Sequence, residues 1–280
     1  MQNKPSSLAP VRSTLLAVVL ASAAFRTLAY VLWYDAAVGY FRAGIISTLL
    51  YICPIAAALV LSLVWMQRLP KATKQAKLVL PDATAADRAV DIVCAAALAA
   101  AAILAVTAAV TSTQGIYWVC AAAALLALVY NAVRPSSPAL RTLCGMAWAA
   151  RVLLIVCIDY FDWSTTLNSP IKIFNQLSLL VGALFIIEHV RLVRSECNAR
   201  KLLILAAATA VFSITNGLSG IIAAALSVTT GATIATFLLS LAIGIRACHT
   251  VFALLSAKHA PDLDTAKQAT KQPESSDPQG

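Results

Sequence analysis

Eight stretches of the chain run almost without charge, at about 13–34, 43–66, 89–111, 115–133, 140–159, 171–190, 202–226 and 231–256. About 20 apolar residues carry a helix across the hydrocarbon of a bilayer. There the backbone N–H and C=O groups find no water and must bond within the segment, so each run predicts a helix. The expected fold class is all-α: a polytopic transmembrane helix bundle of about eight spans covering residues 1–257. A polar tail follows, 258–280, where Pro261, Pro273, Pro278 and mixed charge without apolar periodicity predict disorder.

Composition supports this reading. Of 280 residues, 60% are hydrophobic and 12% charged, and the mean hydropathy is +0.82. A soluble domain carries about 25% charged residues to cover its surface. A water-soluble, disordered or disulfide-stapled chain is thereby excluded. The net charge of +9 gains meaning from its distribution. Sixteen lysines and arginines lie in or beside the amino tail, the second, fourth and sixth connections and the carboxyl tail; Arg42 and Lys172 alone flank the alternate set. Positive charge accumulates on the cytoplasmic side, so both termini are expected there. The surplus serves topology and anionic headgroups, with the lipid bilayer as partner, and argues against nucleic acid. Residues 13–24 with Ala21-Ser22-Ala23 also resemble a signal peptide. Apolar character resumes after Arg26 and runs to Tyr30, Trp33 and Tyr34, which favours an uncleaved first span.

Internal organisation suggests a four-plus-four parallel repeat. Arg26 precedes Trp33-Tyr34-Asp35 in the first span, and Arg151 precedes Asp159-Tyr160-Phe161-Asp162-Trp163 in the fifth. Alanine runs at 95–102, broken only by Leu98, and at 121–124 predict close contact in a hairpin of spans three and four. Gly217, Gly220 and the Ser240/Gly244 pair predict the same for spans seven and eight. Pro54 interrupts the second span. Lys71, Lys74 and Lys77 fall at helical spacing in a connection that reads as a solvated topogenic loop or a short surface helix, and Thr84 to Asp87 reads as a capping box. The seven cysteines show no CxxC spacing and none falls in an outer connection, so no disulfide framework or zinc site is expected.

The run Asn168-Ser169-Pro170 before a long apolar span and a basic connection (Arg191, Arg194) resembles multi-spanning membrane proteins of anaerobic Gram-positive bacteria that have no assigned function. The turn from Tyr34-Asp35 to Gly39-Tyr40 is similar to theirs too. The resemblance implies a multi-pass protein of a bacterial cytoplasmic membrane and no chemistry.

The chemical inventory is short. No HExxH, GxSxG, Walker A or glycine-rich dinucleotide turn occurs, so no catalytic constellation, cofactor or metal centre is expected. Glu188 and Arg191 stand at i,i+3 spacing and read as an interfacial ion pair, with a proton-carrying Glu188 as the alternative. Asp159 and Asp162 read as a solvated helix end or a divalent-cation pair. Arg26 and Arg151 lie near mid-bilayer, where an arginine costs about 2.5–3.5 kcal/mol on insertion scales. Such residues face the bundle interior or snorkel to a surface; Arg246 is expected to snorkel. With Asn216 as a further contact, the two arginines make a candidate site for a small anionic or amphipathic solute or a lipid headgroup. The leading function is transport or binding of such a molecule. A sensor or partner subunit and, less favoured, an intramembrane enzyme are the alternatives.

Overall fold

The computed structural model describes residues 9–35, 40–42, 44–66, 78–79, 85–112, 114–133, 135–161, 169–193, 198–226, 234–256 and 258–259. Within them lie eight long helices: α1 (Ala9–Leu32), α2 (Gly44–Met66), α3 (Ala85–Thr111), α4 (Gly115–Ala132), α5 (Pro138–Phe161), α6 (Pro170–Val193), α7 (Ala199–Ala225) and α8 (Ile234–Ser256). All eight are long and apolar enough to cross a membrane, and the protein is an all-α integral membrane bundle. Two two-residue antiparallel pairs accompany it: β1 (Tyr34–Asp35) with β2 (Tyr40–Phe41), and β3 (Leu78–Val79) with β4 (Lys258–His259). The second pair ties the start of the predicted disordered tail to the second connection; residues 260–280, Lys71 to Lys77 and Thr84 lie outside the described residues.

Local chemistry sets the helix ends. Pro138 and Pro170 open α5 and α6, where the missing N–H has no partner to lose. Asn198 caps α7, its side-chain oxygen accepting from the backbone N–H groups of Arg200 at 3.0 Å and Lys201 at 3.2 Å. Between α3 and α4 the turn is so short that the Ser112 hydroxyl accepts the Gln114 N–H at 3.1 Å. Helix α2 runs through Pro54, which is buried.

Helix α7 is the centre: 78% of its spanning segment is buried, against 28% for α3 and 31–33% for α1, α2 and α5. It packs most closely on α8, along the seam predicted from small residues. A Cβ on Gly217 would meet the Phe237 carbonyl oxygen at 2.8 Å and the Leu241 nitrogen at 2.9 Å, and one on Gly244 would meet the Ile214 nitrogen at 2.7 Å. Only a bare backbone permits this approach. Helices α3 and α4 form the expected hairpin, which leans on α8 through α3.

The four-plus-four repeat does not appear in the packing. It would pair α3 with α7, yet one is peripheral and the other central. It would also pair α1–α2 with α5–α6, but the first two touch lightly and the second two pack along their length. An arginine before an aromatic–Asp end marks where a helix stops, not which neighbours it has.

Odd-numbered helices begin at one end of the bundle, here the near end, and even-numbered helices begin at the far end. The contacts show it: early α3 meets late α8 through Asp91 and Arg246, and late α1 meets early α6 through Arg26 and Phe174.

A buried polar layer at the far end

Buried polar residues collect at the far end, on the surfaces that α1, α5, α6, α7 and α8 turn inward. On α6 the side chains of Ser169, Lys172, Asn175 and Ser178 are each at most 4% exposed. Their spacing of three puts them on one face. Central α7 answers with Thr209, Ser213, Asn216 and Ser219, and α8 with Ser240, all buried.

Asn216 is the hub. Its Nδ2 donates to the Asn175 Oδ1 at 2.9 Å and to the Ser240 hydroxyl at 3.2 Å, joining α6, α7 and α8. Asn175 in turn donates to the Asp159 carboxylate of α5 at 3.4 Å, and the Ser178 hydroxyl donates to that of Ser213 at 3.3 Å. Asp162, the proposed partner of Asp159 in a cation pair, lies outside the described residues.

Arg26 enters this layer from α1. It is 2% exposed, so it does not snorkel. One face of its guanidinium lies over the Phe174 ring, 3.7 Å from the centroid, and its Nη2 donates to the Tyr30 hydroxyl at 2.6 Å. Phe174 precedes Asn175, so the ring under the guanidinium and the amide that bonds Asn216 both sit in the first turns of α6. Phe212 packs on Phe174 at 5.5 Å between centroids, while Tyr34 and Phe41 pack on Tyr30. The layer thus combines a planar cation, an ammonium at Lys172, amides, hydroxyls, aromatic faces and the Asp159 carboxylate.

Arg151 is elsewhere. It is 1% exposed and likewise does not snorkel, but its Nη2 donates to the Ala101 carbonyl of α3 at 3.2 Å. The described contacts of Arg26 and Arg151 share no residue. The difference is one of depth and face: Arg26 lies six residues from the end of α1, and Arg151 ten from the end of α5.

Arg246 overturns the snorkelling expectation. It is 5% exposed; its Nη1 stands 2.6 Å from the Asp91 carboxylate of α3, and its Nη2 donates to the Asn131 side-chain oxygen of α4 at 3.1 Å. The pair was missed because Asp91 sits just inside α3, while α8 reaches that level only after packing. Near the same end Glu188, 3% exposed at its side chain, receives the Arg191 Nη1 at 3.0 Å and also the Lys201 ammonium from α7. His189 does not join them; its Nδ1 is 3.0 Å from the Tyr130 hydroxyl.

Among the described residues no group of three or more His, Cys, Asp or Glu side chains is placed to hold a metal ion. The chain matches no protein-family model, no curated protein and no solved structure.

Proposed function

We propose that the far-end layer binds the charged group of a small anionic or amphipathic solute or lipid headgroup, and that the protein carries or holds such a molecule in a bacterial cytoplasmic membrane with both termini in the cytoplasm. One observation carries the reading. The layer brings two buried cations, Arg26 and Lys172, together with the Asn175–Asn216–Ser240 network, which also holds the Asp159 carboxylate. A planar guanidinium, an ammonium and amide donors buried together are the groups that recognise a carboxylate or phosphate through charge-assisted hydrogen bonds. Phe174 and Tyr30 supply apolar faces beside the charge, which suits a molecule with both characters. The orientation rests on the sixteen-to-two distribution of basic residues.

The test is ligand-dependent thermal unfolding of the purified protein in a neutral detergent. Glycerol 1-phosphate and inorganic phosphate serve as probes. A bound probe raises the midpoint in proportion to RT ln(1 + [L]/Kd). The shift is expected in the wild type, lost in Arg26→Leu and partly kept in Arg26→Lys, since a lysine offers charge without the planar fork. No shift with any probe, or one that survives Arg26→Leu, overturns the reading. Reporter fusions after Lys77, Lys201 and Lys258 are expected to report cytoplasm, and fusions near Asp35, Gly115, Thr165 and Thr229 the outside.

A further inference from the structure

Arg151 stands apart from that layer and asks for a partner of its own. It projects from α5 toward the α3–α4 hairpin, ten residues before the end of α5, which is about 15 Å along the axis. Its guanidinium has one acceptor among the described residues, the Ala101 carbonyl. Nε and Nη1 are both buried with no hydrogen-bond partner. The hairpin contributes only small side chains at this level: Ala101, Ala102, Cys120, Ala121 and Ala124, all buried. One turn back on the same face, the Trp148 Nε1–H is also buried without an acceptor. The neighbourhood is therefore rich in donors and has no carboxylate among the described residues.

An arginine does not shed its proton in a protein, so the charge stays. A carbonyl dipole cannot neutralise it in hydrocarbon, where an uncompensated ion is costly. Arg246 shows how this chain treats a buried guanidinium when a residue is to balance it: a carboxylate at 2.6 Å and an amide oxygen at 3.1 Å. Arg151 has neither.

We propose that Arg151 is a second binding site, separate from the far-end layer, for a monovalent carboxylate. One guanidinium balances one negative charge; a dianion would leave a net charge buried. A carboxylate oxygen accepts from an open guanidinium nitrogen, and such charge-assisted bonds are the strong ones. The wall between this site and lipid is one helix thick. Helices α3 and α4 are peripheral, and Ile103, Leu104 and Leu125 on them face outward. An alkyl-chain carboxylate has a direct route from the bilayer, whereas a soluble one enters only through the bundle.

The experiment compares decanoate, acetate and decanol as additives in thermal unfolding of the full-length protein in a neutral detergent. Decanoate is expected to raise the midpoint of the wild type and of Arg26→Leu, and to leave Arg151→Leu unmoved. Without additive, Arg151→Leu is expected to be at least as stable as the wild type, since a buried charge is gone. Arg151→Lys keeps the charge and serves if the leucine variant misfolds; it is expected to weaken decanoate at least tenfold. A response to decanoate alone assigns the carboxylate to an alkyl-chain source, and an equal response to acetate assigns it to a soluble one. Decanol matching decanoate, Arg151→Lys binding decanoate as the wild type does, or Arg26→Leu abolishing the response each overturns the proposal. The last result would place the carboxylate in the far-end layer instead, so the two sites fail separately.

Discussion

The two ends of the bundle handle buried charge in opposite ways. At the near end Arg246 meets Asp91, and Glu188 meets Arg191 and Lys201. Asp91 and Lys201 come from the first part of an odd helix, Glu188 and Arg191 from the last part of an even one, and Arg246 from the middle of α8. They act as clasps, joining α8 to the α3–α4 hairpin and α6 to α7. The far end holds Arg26, Lys172 and Asp159 among amides, hydroxyls and aromatic rings. Opposite charges in contact fix a fold, because breaking one strands the other. Hydrogen-bonded neutral groups tolerate loss of a member and leave capacity for something else. The near end therefore reads as structure and the far end as site.

The comparison breaks first at Asp91. Replacing it with Leu strands the Arg246 guanidinium in the bundle, and breaking a buried pair costs about 3–5 kcal/mol. Reversible unfolding in mixed micelles is expected to show this, and Asp91→Leu with Arg246→Leu to recover most of it. If the single change is silent, the near end is not a clasp. Next is the seam that serves both ends. Gly217→Ala pushes a methyl group onto the Phe237 carbonyl and the Leu241 nitrogen, an overpacking of about 1–3 kcal/mol that lowers stability and binding together.

Asn216→Leu separates the ends more finely. It removes the bonds to Asn175 and Ser240; interhelical bonds in membranes average about 0.6 kcal/mol each, so the stability loss is about 1 kcal/mol. Probe affinity at the far end is expected to fall further than that loss accounts for. Equal effects would make Asn216 a packing residue only. The smallest effect is expected from Arg191→Ala. Its side chain is 48% exposed and Lys201 also serves Glu188, so the loss stays below about 0.5 kcal/mol. A larger loss would mean that Arg191, and not Lys201, holds the clasp.

Parts of the site were legible in the chain. Ser169, Lys172, Asn175 and Ser178 form a polar stripe at helical spacing, and Thr209, Ser213, Asn216 and Ser219 form another. Either stripe marks an inward face, because polar groups in hydrocarbon must find partners. Serine and threonine lower hydropathy little enough that neither stripe stands out beside the charged residues. The charge signal singled out Arg26 and Arg151 but left interior and snorkelling placements open; burial decides for the interior. That signal failed where it matched arginines by their distance from a helix end, since that distance fixes depth only roughly and leaves the face unread.

What the sequence determined by itself is the set of helices. Eight apolar runs in hydrocarbon have one way to satisfy their backbones, a local one, so α1 to α8 fall within a few residues of the runs that predict them. The small residues of α7 and α8 likewise announced a close seam, because only glycine and serine permit that approach. The tertiary structure decided which helix became central, that Arg246 has Asp91 while Arg151 has, among the described residues, a carbonyl, and that the described neighbours of Arg26 and Arg151 differ. Those outcomes depend on the rotation and neighbours of each helix. In lipid, every apolar face is equally content against another helix or against an acyl chain, so hydropathy carries no record of the choice.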